Sequence, residues 1–333
     1  TVTLLRMVLL TLLGYSALAL VAYRIYSAVY NVVFPYFLGT PVDLHKKAGA
    51  KWAAVTDATD GIGKAYATAL AKKFKFELFQ KFNVFLISRT QSKLDETKKE
   101  IEAVAPGVEI KTFAFDFGAT TRAAYEPLLS ELRAIELGIL VNNVGYSFEY
   151  PEILHATEGG LERLAGMTTI ISLPPVLLSA VALEQMSKRK AGIVINIASG
   201  AAYHEASHWN VYSAAKRFVL HLSGILRTEY APAGVTVQCI SPMLVATKMA
   251  KIRRSSFFVP SADAFVAQAL RSVGLVGETT GCYAHQILVE AVNALPALAR
   301  DSIINKHTLV MHDGALAKRA KKMNDALEGR KNA

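Results

Sequence analysis

The stretch WAAVTDATDGIGKAYATAL, Trp52–Leu70, reads as a short apolar strand, a polar turn and a helix in direct succession. Trp52–Val55 is a continuous apolar run, the pattern of a strand buried on both faces. Gly61, Ile62 and Gly63 open the helix, and the amide-lined, electropositive end of such a helix receives phosphate. One residue contradicts that pattern: Asp57 brings a carboxylate into a turn built for anions. Asp tolerates left-handed backbone angles better than most residues, so the turn can still form. The electrostatic effect depends on where the carboxylate points. At about 4 Å from a phosphate and an effective dielectric near 20 it opposes binding by roughly 4 kcal/mol. Solvent screening reduces that to about 1 kcal/mol. A side chain turned away to cap local N–H groups has almost no effect.

The alternation continues on the C-terminal side. Val84–Ser88, Ile110–Phe115, Ile139–Asn142, Ile193–Ala198 and Val235–Ile240 read as further strands. Lys64–Phe74, Gln91–Val104, Leu161–Arg189 and Val211–Tyr230 read as helices between them. Buried strands alternating with helices make an α/β fold, a doubly wound parallel sheet covered on both faces. No repeat, low-complexity linker or shift of composition divides residues 46–281, so they read as one domain. In this architecture the tip of the second strand lies near an adenosine ribose. Arg89 stands there, in LISRT, and pairs with a 2′-phosphate where an acid would favour a 2′-hydroxyl; the cofactor expected is NADPH. Asp116, closing the third strand in FAFDFG, meets the adenine edge or caps the next helix.

Residues 1–45 follow another rule. Met7–Tyr23, MVLLTLLGYSALALVAY, is uncharged and bracketed by Arg6 and Arg24. It is about 26 Å long as a helix, near the short limit of a bilayer span. The following IYSAVYNVVFPYF adds aromatics suited to an interfacial belt. A cleaved signal peptide fits poorly, because the apolar run is long and the small residues Ala17 and Ala19 lie inside it. A single membrane anchor is expected, with Lys46, Lys47 and Lys51 placing the body on the cytosolic side.

Residues 282–333 form an extension. Cys282–His312 is apolar enough to pack on the sheet or lie on a bilayer, and a basic tail follows, Lys318, Arg319, Lys321, Lys322, Arg330 and Lys331. The chain's net charge is +10. It carries no nucleic-acid-binding motif, so anionic membrane and acidic small molecules are the expected partners. Two distant cysteines, Cys239 and Cys282, lack the spacing of a disulfide scaffold or a metal site, and no metal is expected.

NVYSAAKRF carries the chemistry. Tyr212 and Lys216 are four residues apart and share a helix face. A free phenol has a pKa near 10, and an ammonium beside it favours the phenolate, which would make Tyr212 a usable acid or base. Ser199 follows the buried run GIVINIASG, where its hydroxyl can bond a carbonyl oxygen. ILVNNVG closes the fourth strand with Asn142, Asn143 and Gly145.

With these motifs in this order, from Lys51 to Met249, the chain resembles the short-chain dehydrogenase/reductase family. The resemblance implies a single Rossmann domain with seven parallel strands. It implies that Tyr212 donates a proton, Ser199 orients a carbonyl and Lys216 also binds the nicotinamide ribose. Thr56, Asp60, Gly61, Ile62 and Gly63 would receive the dinucleotide phosphates, with Arg89 and Asp116 at the adenosine end. Asn143 and Gly145 would also bind the cofactor, and Pro242 to Thr247, Val245 included, would run beside the nicotinamide with Thr247 near its carboxamide. ATDGIGKAYA, LISRTQSKL and SPMLVATKMAKIRRSSFFVPSADAFVAQALRSVG narrow the resemblance to the membrane-bound very-long-chain 3-oxoacyl-CoA reductases, fungal ones above all. 17β-Hydroxysteroid dehydrogenases are the nearby relatives. The implied reaction is NADPH-dependent reduction of 3-oxoacyl-CoA in endoplasmic reticulum fatty-acid elongation. A long-chain acyl-CoA, the bilayer and other elongation enzymes are the implied partners.

Three departures accompany the resemblance. Asp57 replaces the usual glycine. Ile171 stands where the family often has a catalytic Asn, and Pro174 and Pro175 should disturb that helix unless it begins after them. FKFELFQKFN adds about seven residues before the second strand, a length a surface loop tolerates. Two rival readings follow: a steroid or retinoid dehydrogenase using the same residues, and a membrane-bound scaffold whose cofactor site has decayed.

Overall fold

The computed structural model describes residues 2–72 and 81–331. In chain order these run through α1 (Val2–Val33), a short π-turn (Phe34–Leu38), α2 (Leu44–Ala48), β1 (Trp52–Thr56), α3 (Gly61–Ala71), β2 (Asn83–Ser88), α4 (Gln91–Val104) and β3 (Ile110–Ala114). Then come α5 (Arg122–Arg133), β4 (Leu137–Asn142), α6 (Gly160–Arg189), β5 (Gly192–Ile197), α7 (Asn210–Tyr230) and β6 (Val235–Ile240). The chain continues through α8 (Ala262–Arg271), β7 (Glu278–Thr279), α9 (Tyr283–Asn293) and α10 (Ala297–Lys331). The strands form one sheet in the order β3-β2-β1-β4-β5-β6-β7, every pair parallel.

All six strands read from the apolar runs are present, with ends shifted by at most two residues. β7 is two residues long, too short for a hydrophobic pattern to mark it. Alternate residues feed two cores because side chains alternate across a pleated strand. Ala53 and Val55 face the core shared with α3 and α8. Ala54, with Phe85 and Leu140 on the neighbouring strands, faces the core shared with α5 and α6.

α6 departs from expectation. It is one continuous helix through both prolines, each of them buried. Proline has no N–H to give, so the carbonyls four residues earlier, on Ile170 and Ile171, lose their intrahelical donors at about 3 kcal/mol per proline. Packing against α5, α7, β4 and β5 holds the helix through that defect. The added segment before β2 lies largely at residues 73–80, outside the described residues.

α1 has no buried residue, and Val2–Leu38 is long and apolar enough to cross a bilayer. α6 meets the same test of length and composition but is a core helix. The base of α1 is tied to the body at several points. The Asn31 side chain donates to Glu290 on α9 at 2.9 Å. The buried Tyr36 hydroxyl bonds Thr279, and Arg271 donates to the Gly39 carbonyl at 3.1 Å. Beyond the sheet, α9 buries Ala284, His285, Gln286 and Val289. α10 lies across two loops instead: Arg319 reaches the Glu158 carboxylate at 2.6 and 2.8 Å, and Asn305 accepts from the Ser207 backbone.

Candidate functional site

The strand order reverses direction between β1 and β4, and in such sheets the crevice at the C-terminal strand ends is where ligands bind. Thr56 ends β1, and its hydroxyl is fully used: it donates to the Val141 carbonyl at 3.3 Å and accepts from Asn143 N and Val144 N, each at 2.9 Å. Asn143 returns the contact through Nδ2, donating to the Thr56 carbonyl at 3.1 Å. These two residues lock the β1 and β4 turns together, so Thr56 shapes the crevice and has no hydroxyl capacity left for a ligand.

The α3 turn forms as the glycines require. A Cβ on Gly63 would sit 2.2 Å from the Asp57 carbonyl oxygen and 2.5 Å from Asn143 Nδ2, so only hydrogen fits. Gly61 has φ of 52°, and its face lies against the Thr247 methyl. Asp60 caps α3 by accepting from Gly61 N at 2.9 Å, and Lys248 stands 3.7 Å from its other oxygen. Ile62 packs into the core. Val245 is buried, and Thr247 Oγ1 accepts from Ala250 N at 3.2 Å, folding that loop over the α3 N-terminus. A groove of about 1130 Å³ runs from Asp60 and Gly61 along Thr247 and Lys248 to Lys251 and Arg253.

Asp57 adopts φ of 50°, the left-handed conformation its residue type allows. It is no cap: among the described residues its carboxylate makes no hydrogen bond and no ion pair. Burial and then neighbouring Asp60 push its carboxyl up, opposed by Arg89 and Lys93. Asp60 stands at the N-terminus of α3, and Arg89 and Lys93 between the tip of β2 and the first turn of α4, so Asp57 lies among the charges at this end of the crevice. Arg89 is exposed at the tip of β2, and Lys93 lies in the first turn of α4. Lys93 was legible as a basic residue one helical turn after Arg89. Asp116 is exposed and accepts from Gly118 N at 2.9 Å, which shapes the turn after β3; the cap of the next helix, expected as one alternative for it, is instead Thr121, which accepts from Ala124 N at 3.3 Å.

At the other end of the crevice, Ser199 follows β5 and caps a short turn by accepting from Ala201 N at 3.2 Å. Tyr212 lies on the first turn of α7, and Lys216 on the next. The direction of the phenol's shift is opposite to that expected. Burial pushes Tyr212 up, opposed by the Ser199 hydroxyl, while burial pushes Lys216 down to about 8. Dehydration of the charged forms outweighs any help the ammonium gives the phenolate. Lys216 is 4% exposed and donates from Nζ to the Ile197 carbonyl at 2.9 Å. A Cβ on Gly145 would lie 3.4 Å from that Nζ, so the β4 loop passes directly over it. Tyr212 is therefore held neutral, a phenol with a proton to give.

Ile171 is buried in the cluster of Ala198, Ala215 and Phe148 against which Tyr212 packs. It fills the wall of the site with hydrocarbon and holds no water there. His285 had no sequence motif to reveal it. Fully buried, it accepts at Nδ1 from Met243 N at 3.3 Å and bonds the Leu244 carbonyl through Nε2 at 3.1 Å, which defines the neutral Nε2–H tautomer. Burial lowers its pKa. It fixes the loop that carries Val245 and Thr247. On the opposite wall, Arg163 pairs with buried Glu152 at 2.9 Å and shapes the loop before α6.

A short chain dehydrogenase family model matches residues 51–256, which contain every one of these crevice residues except His285. The chain belongs to the short-chain dehydrogenase family. It is 50% identical to a very-long-chain 3-oxoacyl-CoA reductase of Caenorhabditis briggsae over 306 residues, 92% of this chain and 95% of that protein. A Bos taurus protein of the same description is 35% identical over 284 residues, 85% of this chain and 88% of its own. Among solved structures, a 7β-hydroxysteroid dehydrogenase aligns with TM-score 0.66 at 19% identity over 78% of this chain and 97% of that one. A short-chain dehydrogenase from Sphingobium yanoikuyae in complex with NADPH gives 0.56 at 25% identity over 68% and 83%.

The family's oxidoreductases use a nicotinamide dinucleotide, and the residues here fit one. Gly63 gives α3 its close approach to the turn, the α3 N-terminus faces the crevice, and Lys216 Nζ has N–H capacity beyond its bond to Ile197. Asp57 is the one misfit, and it is placed beside compensating Arg89 and Lys93.

Proposed function

We propose that this chain reduces very-long-chain 3-oxoacyl-CoA to 3-hydroxyacyl-CoA with NADPH, on the cytosolic face of the endoplasmic reticulum membrane, as one step of fatty-acid elongation. The observation that carries the reading is the neutral Tyr212 phenol set against Ser199, one helical turn from buried Lys216. The substrate class is supported by relatives sharing half of all positions across nearly the whole chain. NADPH is favoured over NADH by Arg89 and Lys93 at the adenosine end. α1 and the acyl chain share a preference for bilayer, which supports membrane residence and proximity to the other elongation enzymes.

A bound NADPH would supply the hydride. Ser199 would hold the C3 carbonyl oxygen by a hydrogen bond that strengthens as negative charge grows there, and Tyr212 would pass its proton to that oxygen. Lys216 would hold the ribose hydroxyls and keep positive charge beneath the phenol as it loses the proton. The exposed cations of Lys251–Arg254 suit the CoA phosphates. The test is NADPH oxidation by the full chain in lipid nanodiscs with a long-chain 3-oxoacyl-CoA. Tyr212→Phe should abolish turnover and keep NADPH affinity; undiminished turnover would remove the reading. A ketosteroid reduced faster than the thioester would move the substrate class to steroids.

A further inference from the structure

The loop that leaves Thr247 ends in a tight turn. Ser256 N donates to the Val259 carbonyl at 2.8 Å and Val259 N returns the bond to Ser256 at 3.2 Å, leaving Phe257 and Phe258 as the two residues at the tip. Two-residue turns favour Gly, Asn and Asp, because their backbone angles suit small or turn-forming side chains. Nothing in the backbone asks for two phenylalanines. They do not serve the core either: they remain 56% and 46% exposed, ring edge against ring face at 4.8 Å.

The tip continues into the base of the membrane helix. Phe257 packs on Tyr283 with centroids 5.7 Å apart, and Tyr283 packs on Phe37 at 5.4 Å. Phe37 and Leu38, in the π-turn that ends the apolar helix, are 56% and 73% exposed. Tyr26, Tyr30 and Phe34 stack one above another just before them, the aromatic level expected where a helix leaves hydrocarbon for headgroups. Asn31, Tyr36 and Arg271 fasten this level to α9, β7 and α8, so the position of the bilayer relative to the body follows from the anchor. Between Glu229 and Asp263 the chain has no acidic residue, and exposed Arg253 and Arg254 precede the turn. An apolar tip rimmed by cations, joined side by side to a membrane helix, has the chemistry of an interfacial lipid contact.

We propose that the Phe257–Phe258 turn, with Phe37 and Leu38, is a second membrane contact that lays this face of the protein on the bilayer holding α1. The same loop carries Thr247 onto Gly61, so the mouth of the crevice lies at the lipid surface and a long acyl chain reaches it without crossing water. The contact rests on α1 as a span, and not on the identity of the reaction.

The test uses the full chain in nanodiscs of mixed phosphatidylcholine and phosphatidylserine, with and without lipids brominated near the headgroup end of their acyl chains. Phe257→Trp, and separately Phe258→Trp, reports by the difference from the unsubstituted chain, which already holds Trp52 and Trp209. The added fluorescence should be blue-shifted and lost on bromination. Tyr23→Trp, inside the span, should lose fluorescence too. Ala123→Trp, exposed on α5 on the opposite face of the sheet from α8, should be unaffected. Unquenched, red-shifted Phe257→Trp with quenched Tyr23→Trp overturns the proposal while leaving the anchor intact. Blue-shifted but unquenched emission overturns it in favour of a protein surface, a second copy of this chain included. If Tyr23→Trp is also unquenched, the span itself is wrong and the contact falls with it. Activity is not read in any arm, so failure here is separate from failure of the proposed reaction.

Discussion

Asp57→Asn isolates a charge from a conformation. Asn has nearly the same shape as Asp and accepts the same left-handed backbone, so φ of 50° is kept while the charge is removed. A carboxylate about 5 Å from a phosphate at an effective dielectric near 20 opposes binding by roughly 3 kcal/mol. Arg89 and Lys93 already act on the same carboxylate with opposite sign and cancel part of that. Partial exposure of the turn lets salt screen more of it. About 1.4 kcal/mol remains, a tenfold change in affinity. Titration calorimetry with NADPH should therefore find Asp57→Asn binding about tenfold tighter than the native chain at low ionic strength. The gap should narrow as salt is raised. It should also narrow as pH falls, because burial and Asp60 raise the native carboxyl and bring its protonation toward the working range. Equal affinities at low salt, or a gap indifferent to salt, would refute the placing of this carboxylate toward the phosphates.

Two further outcomes come from buried bases. Lys216, lowered to about 8, is charged below that pH and loses its proton above it, so kcat/KM for ketone reduction should fall on the alkaline side of about 8. Lys216→Arg, always charged, should move that limb upward even where it lowers the rate, and an unmoved limb would assign it to another group. His285 is neutral in the fold with its pKa below the ordinary 6.5, so an unfolded chain binds a proton that the folded one refuses. Its contribution to stability is present above 6.5 and is lost as pH falls through the lowered folded value. Melting temperature should drop across that window. His285→Ala, which strands Met243 N and the Leu244 carbonyl, should cost about 3 kcal/mol and flatten the drop. An Ala variant with the native pH profile would show that another group titrates.

Much of the crevice could be read directly because its chemistry is local. A strand followed by Gly61-Ile62-Gly63 opens a helix whose end presents bare N–H groups, and Tyr212 and Lys216 share a helix face by spacing alone. The six longer strands announced themselves for a similar reason: burial on both faces leaves an unbroken apolar run. Other features depend on residues far apart in the chain. The Thr56 hydroxyl bonds Val141, Asn143 and Val144, joining turns that lie far apart in the chain. The prolines of α6 looked like a helix break until the packing of four neighbours held them.

The sequence by itself determined the alternating α/β fold, the apolar N-terminal helix and the shared helix face of Tyr212 and Lys216, because each is written in composition or in spacing within one element. Only the tertiary structure decided that Asp57 is raised by burial beside Asp60, Arg89 and Lys93, that burial raises Tyr212 and lowers Lys216, that His285 holds the Thr247 loop, and that two phenylalanines meet the base of the anchor. The physical reason is common to all four. Dehydration, electrostatic fields and aromatic contacts are set by which distant groups fold into proximity, and no single element specifies them.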